Sequence, residues 1–354
     1  MVEASDPGCA PPRAMHNSSM MLRFLFGSAL LLLCTSLAAA WTAGLIWFQG
    51  PVLLRTLALV AFLSFSVTVL IAFFTHRRRR AMALFLAVFA AALGWFFSLT
   101  PSHDRDWRPE VARLPVGVIE GDRLSLRNVR NFNWISETEA DPERWENREH
   151  DLSRLESVDL FLSYWGRPEI AHTVISFGFG NNEFLAWSVE VRYRQGTGFD
   201  AIAGLFRTNE IILVAADERD VIRRRTEITR EDVYLYRLGG GPPGSMRAFL
   251  TSYIEDANAL AKAPAFYNSL TSNCTTVVLR LLRSIGIHLP LDWRLIANGF
   301  LPEFLYERGA VDRSLPFEQL RAASAISEKA RLYRDDPEFS TKIRRSLPGM
   351  GGKS

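Results

Sequence analysis

Cys274 is the residue best placed by type and position to act as a nucleophile. It heads the apolar-periodic segment from Cys274 to Ile285. Its sulfur would lie among the unpaired N–H groups at the positive end of a helix, which favour thiolate over thiol. The same N–H groups would hold an oxyanion formed when a thiolate attacks a carbonyl. The competing reading is a small buried apolar residue at a helix start. A base would come from His103, His150, His172 or His288. His172 opens the run Thr173-Val174-Ile175-Ser176-Phe177, and a strand-end histidine is well placed to meet a helix-start cysteine. A purely structural histidine is the alternative. His103 falls in a polar linker, and His288 in the short turn from Gly286 to Pro290. His150 sits among charges, Arg148-Glu149-His150-Asp151, and is expected to be solvated. No CxxC pair or HExxH element supports a zinc site, so neither metal nor cofactor is expected.

These residues need strands and helices to hold them. Strand-like runs span Arg123 to Val129, Val158 to Ser163, His172 to Phe179, Phe184 to Tyr193, Ile211 to Ala216 and Val233 to Arg237. Within Phe184 to Tyr193, alternation puts Leu185, Trp187, Val189, Val191 and Tyr193 on one face. Ser188, Glu190 and Arg192 fall on the other. Asn181-Asn182-Glu183 reads as the hairpin turn before it. Helical spacing marks Ser245 to Ala261 and, more strongly, Cys274 to Ile285, with Ser272 or Asn273 as N-cap and Gly286 as C-cap. Shorter helices follow at Pro302 to Glu307, Pro316 to Ala323 and Ser327 to Tyr333. The tail from Pro348 to Ser354 reads as disordered.

Three segments, taken in order, carry a family resemblance. They are Ile170 to Phe179 (IAHTVISFGF), Ser188 to Arg192 (SVEVR) and Phe266 to Thr276 (FYNSLTSNCTT). Ala216 to Arg219 and Val233 to Leu238 fit between them. Over about residues 131–286 the chain resembles the periplasmic domain of the Lnb family, long classed only as a domain of unknown function. The family resembles permuted papain-like thiol enzymes, with the histidine strand ahead of the cysteine helix, and its namesake is implicated in bacterial lipoprotein N-acylation. The resemblance therefore implies an α+β fold and a covalent mechanism. His172 would take the proton of Cys274, and the thiolate would accept an acyl chain from a phospholipid. The α-amine of a lipoprotein would then receive it. Glu190 would orient His172, or else pair with Arg192 or Arg194. Asn273 would cap the helix or contribute to the oxyanion site. Tyr267 would line the pocket or belong to the core. Arg223-Arg224-Arg225 would touch lipid phosphates or simply face solvent.

Composition sets the remaining limits. The 354 residues are 48% apolar and 22% charged, with net charge +3, which excludes a disordered or collagen-like chain. Between Asp6 and Asp104 there is no acidic residue and no lysine, and Phe24 to Phe48, Val52 to Thr75 and Ala81 to Leu99 are apolar runs. Each approaches the length of a membrane-spanning helix. The Arg77 to Arg80 loop is expected on the cytoplasmic side of a bacterial inner membrane. Residues 1–21 would then be cytoplasmic and everything after Leu99 periplasmic. Arg55 would snorkel to the interface. A cleaved leader ending near Ala40 is the rival reading, but the apolar run continues to Phe48. A nucleic-acid role for the arginine run fits poorly between two apolar spans. The expected organisation is a three-span unit at 22–100, a linker at 101–122, an Lnb-like domain at 123–310 and C-terminal helices at 311–354. Two further functions compete with acyl transfer. One is a papain-like cell-envelope peptidase or amidase. The other is a non-catalytic envelope protein with Cys274 buried.

Overall fold

The acid-free first hundred residues form three helices, α1 (Arg13–Gln49), α2 (Arg55–Ala72) and α3 (Arg78–Ser98). The computed structural model describes residues 13–350, and side chains from residue 25. It divides between Thr100 and Pro101 into two units. In the first, Leu25–Gln49, Arg55–Ala72 and Arg78–Ser98 are each long and apolar enough to cross a membrane. Ala39, Phe62, Val69 and Phe85 form a small inner seam, while Phe26, Leu37, Leu57 and Ile71 point outward. Hydrocarbon, not water, is the solvent for such a surface. The hydroxyls of Thr35, Thr42 and Ser66 donate to carbonyls four residues back, so these hydroxyls are satisfied within their own helices. The Arg55 guanidinium lies 4.5 Å from the centroid of the Trp47 ring. The expected loop of four arginines is shorter than the sequence suggests, because Arg78 to Arg80 form the first turn of α3.

The second unit is an α+β domain, as expected. Its strands are β1 (Val116–Glu120), β2 (Arg123–Arg130), β3 (Trp145–Asp151), β4 (Leu155–Tyr164), β5 (Ala171–Phe179), β6 (Glu183–Arg192), β7 (Glu210–Ala216) and β8 (Asp232–Leu238). They run in the order β1-β2-β7-β6-β5-β4-β8, with β3 also on β2. All pairs are antiparallel except a brief parallel contact of β2 with β7. The β5–β6 turn is built by Asn181 and Asn182, both at positive φ, a conformation that asparagine tolerates.

Helices cover both faces of the sheet. On one face lie α5 (Ser245–Lys262), α6 (Cys274–Ser284), α7 (Leu301–Glu307) and α8 (Phe317–Ala323), which bury Phe249, Tyr253, Val277, Leu281, Phe304 and Leu320 against Leu185, Trp187 and Val189. On the other lie α4 (Glu218–Arg223), α9 (Ser327–Leu332) and α10 (Phe339–Arg344), packed with Ala186, Ile212 and Val214. This second layer buries Ser188 and Arg192, which the alternation of β6 had assigned simply to a polar face.

Three boundaries differ from expectation. The linker at 101–122 is part of the domain and contains β1, too short a run to stand out. Residues 311–350 are not a separate appendage, because Ile326, Ala330, Phe339 and Ile343 complete the second core. The buried Arg344 joins α10 to Asp159 of β4 at 2.8 Å and to Glu218 of α4 at 2.6 Å. The expected disordered tail is structured as far as Met350, which packs on the same core. Residues 351–354 lie outside the described residues.

Candidate functional site

The sheet opens where the chemistry is expected. β5 and β6 pair from Val174 with Ser188 to Phe179 with Glu183, and the ladder stops there. Beyond it His172 stays with Ser163 of β4, and Glu190 stays with Ile212 of β7. Helix α6 packs against β5 and β6, and Cys274 is its first residue.

The helix start is fixed by Asn273. Its side-chain oxygen accepts from the N–H of Thr275 at 3.0 Å and of Thr276 at 2.9 Å, and Thr276 Oγ1 accepts from the Asn273 N–H at 2.8 Å. This is a reciprocal capping box. The Asn273 amide N–H goes to the Ser269 carbonyl at 2.8 Å. Asn273 is thus engaged as a cap, with its polar atoms already bonded. It also occupies two of the N–H groups that an oxyanion would need. Among the described residues the Cys274 N–H has no backbone or side-chain partner. At the other end Gly286, at φ +83°, donates to Arg283 and is followed by an Ile287 N–H bond to Leu282, a Schellman ending.

The charge state of Cys274 departs from the sequence expectation. Burial pushes the thiol up, against the Thr173 N–H, the Thr275 hydroxyl and the positive charge of Arg225, which all favour thiolate. Desolvation outweighs the helix-terminus effect, so the resting group is a thiol. His172 is shifted the other way. Burial and Arg225 push it down to about 3, against Glu190 and Glu231. Both shifts favour the neutral forms, a thiol at Cys274 and an uncharged imidazole at His172, and among the described residues no hydrogen bond joins the two side chains.

His172 Nε2 lies 2.7 Å from Ser188 Oγ, and that hydroxyl donates to Glu190 Oε1 at 2.9 Å. With its single proton spent on Glu190, Ser188 accepts from Nε2–H. The neutral ring therefore keeps its lone pair on Nδ1. Glu190 reaches His172 through Ser188, not directly. Burial acts to raise the Glu190 carboxyl, but Arg130, Arg225 and His172 hold it down to about 2. Its ion-pair partner is Arg225 at 3.4 Å. Arg192 instead binds the carbonyls of Val111 and Ala112, and Arg194 that of Thr208.

Tyr267 lies near Cys274 and is half-buried against the core of the α6 face. Burial first, and then Cys274, push its hydroxyl well above the usual phenol range. The buried hydroxyl of Tyr253, on α5, has no hydrogen-bond partner among the described residues. The Arg223 to Arg225 run does not simply face solvent. It crosses from α4 into a π-helical turn, Arg224–Ile228, and pairs inward with Glu227, Glu110, Glu190 and Glu231. His150 is also not solvated. It is buried in β3 with its ring stacked on Phe179 at 4.7 Å.

One residue that sequence reasoning missed joins the two halves of the site. Asn298 is buried. It accepts from the Ala171 N–H at 2.9 Å, and donates to the Ala171 carbonyl at 2.5 Å and to Thr275 Oγ1 at 2.7 Å. It therefore clasps the strand of His172 to the helix of Cys274. No local spacing marks Asn298. Ser188, by contrast, stood two places before Glu190 on the same face of β6, and that spacing was the available signal.

The fold and site define a membrane-anchored α+β protein in which a helix-start cysteine packs against the strand of a histidine. Residues 141–299, less than half the chain but including His172, Ser188, Glu190, Cys274 and Asn298, match the model of the Lnb N-terminal periplasmic domain. This stretch is similar to the Lnb N-terminal periplasmic domain. No curated protein and no solved structure matches the chain.

Proposed function

We propose that the protein is a thiol acyltransferase of the bacterial inner membrane. It would move a fatty acyl chain from a phospholipid, through a Cys274 thioester, to the N-terminal amine of a lipoprotein. The observation that supports this reading is Cys274 at the head of α6, against the strand of a histidine whose Nε2 is held by Ser188 and Glu190. A histidine strand ahead of a cysteine helix also suits a permuted papain-like arrangement. The arginines Arg77 to Arg80, at the start of α3, favour a cytoplasmic N-terminus.

In the first half-reaction Nδ1 of His172 takes the thiol proton as sulfur bonds to the ester carbonyl carbon. The N–H of Cys274 faces the developing oxyanion. Collapse breaks the carbon–oxygen bond, and His172 returns the proton to the leaving lysophospholipid hydroxyl. In the second half-reaction the α-amine attacks the thioester. His172 accepts the amine proton and passes it to the departing sulfur.

The test is the intact mass of the Cys274 peptide from the full-length protein after incubation with phospholipid. The expected result is an added acyl mass, removed by hydroxylamine and absent from His172→Ala. An unmodified Cys274 overturns the reading. A buried, non-catalytic thiol is the second reading, favoured by the raised thiol and by the absence of a His172–Cys274 hydrogen bond among the described residues. A thiol that alkylates only after unfolding would support it.

A further inference from the structure

We infer that the domain carries an apolar rim that enters the surface of a phospholipid bilayer at the mouth of the Cys274 site. The inference deepens the acyl-transfer reading, because it names how a lipid ester reaches the thiol.

Three chain segments meet at the end of the sheet where β4 ends, β5 and β8 begin, and β6 hands over to β7. Most of the large apolar side chains exposed on this unit lie there. The β4–β5 loop exposes Trp165 and Ile170, the β6–β7 loop exposes Phe199 and Ile202, and the segment after α6 exposes Leu291, Trp293 and Ile296. Leu291 is 93% exposed and Ile296 is 84% exposed.

The rim is continuous with the site. The Gly299 N–H donates to the Glu169 carbonyl at 3.0 Å. A side chain at Gly299 would strike the Pro168 carbonyl, so the two backbones are in contact. Asn298 then ties the same segment to Ala171, one residue from His172, and to Thr275, one residue from Cys274. The β6–β7 loop joins through Ser269, whose hydroxyl donates to the Ala201 carbonyl at 2.7 Å.

An exposed cluster of this kind marks an interaction surface, and two observations favour lipid as its occupant. First, the chain enters the domain at this same end. Ser102 and Arg105 bind Glu210, the first residue of β7, at 3.0 and 2.8 Å. Pro101 follows Ser98, the last residue of α3, by three positions, a span of about 10 Å when fully extended. The chain therefore enters the domain at the end that carries the rim, three positions after the last residue of an apolar helix long enough to span a membrane. Second, the rim combines two tryptophans with aliphatic side chains, the composition of a surface that sits at headgroup level.

The test uses the full-length chain with Cys9, Cys34 and Cys274 replaced by alanine. A single cysteine is placed by Trp165→Cys, Ile296→Cys or, as a control on edge strand β1, Val118→Cys, and each is labelled with an environment-sensitive fluorophore. The protein is reconstituted in vesicles of phosphatidylethanolamine and phosphatidylglycerol containing doxyl-labelled phosphatidylcholine. The expected result is severalfold stronger quenching at 165 and 296 than at 118. Equal quenching at all three positions overturns the inference. Shielding of 165 and 296 that rises with protein-to-lipid ratio, without doxyl quenching, assigns the rim to a second copy of the chain and also overturns it. The measurement lacks Cys274, so its outcome is separate from the fate of the acyl-transfer reading.

Discussion

At the scale of single residues, the decisive feature is the hydroxyl of Ser188. It stands between His172 and Glu190 and fixes which ring nitrogen is free. Ser188→Ala removes the acceptor for Nε2–H but leaves Cys274 and His172 in place. By analogy with other outer-shell partners of a reactive group, thioester formation is expected to slow about 10- to 100-fold. The rate of acyl mass gained on Cys274 checks this. A rate equal to wild type would remove Ser188 from the positioning of His172. Substitution by threonine, which keeps the hydroxyl, is expected to restore most of the rate. The sequence brought Cys274, His172 and Glu190 forward as candidates because residue type and alternation are local properties. It left the state of the thiol open between an activated and a buried reading, because burial depends on what packs over α6, and that is set by the whole fold.

At the scale of elements, the site exists because β5 and β6 part company before His172 and Glu190, and α6 packs against both. Asn298 holds this arrangement by spanning Ala171 and Thr275. Asn298→Ala would leave the buried Ala171 groups short of partners, a loss of about 1–3 kcal/mol. Denaturant midpoints of the variant and wild type measure it. The slope of the unfolding curve should be unchanged, because the surface exposed on unfolding is the same. An unshifted midpoint would show that the clasp carries no stability. All six strands read from alternation are present, because buried β-branched runs carry their own signal. β1 and β3 were missed for opposite reasons. β1 is short, and β3 (WENREHD) is almost entirely charged and is placed by pairing with β2 rather than by its own pattern. The α10 helix was missed because six residues show too little periodicity, and its place comes from Arg344.

At the scale of the whole molecule, that arginine closes the domain. Arg344 sits buried between Asp159 and Glu218 and ties the C-terminal segment to the sheet. Arg344→Met would leave two buried carboxylates with less neutralisation, an expected loss of about 3–5 kcal/mol. Chemical denaturation of the full-length protein measures it, and a variant as stable as wild type would make the clamp dispensable. The neutral state of the Cys274 thiol has a consequence at this scale too. It is the only cysteine after Cys34 in the sequence, and it belongs to a domain of periplasmic type, where the compartment is oxidising. Attack on peroxide and exchange with foreign disulfides both proceed through thiolate. Because burial keeps Cys274 protonated at rest, the domain can carry an unpaired sulfur through that compartment with little loss to sulfenic acid or mixed disulfides.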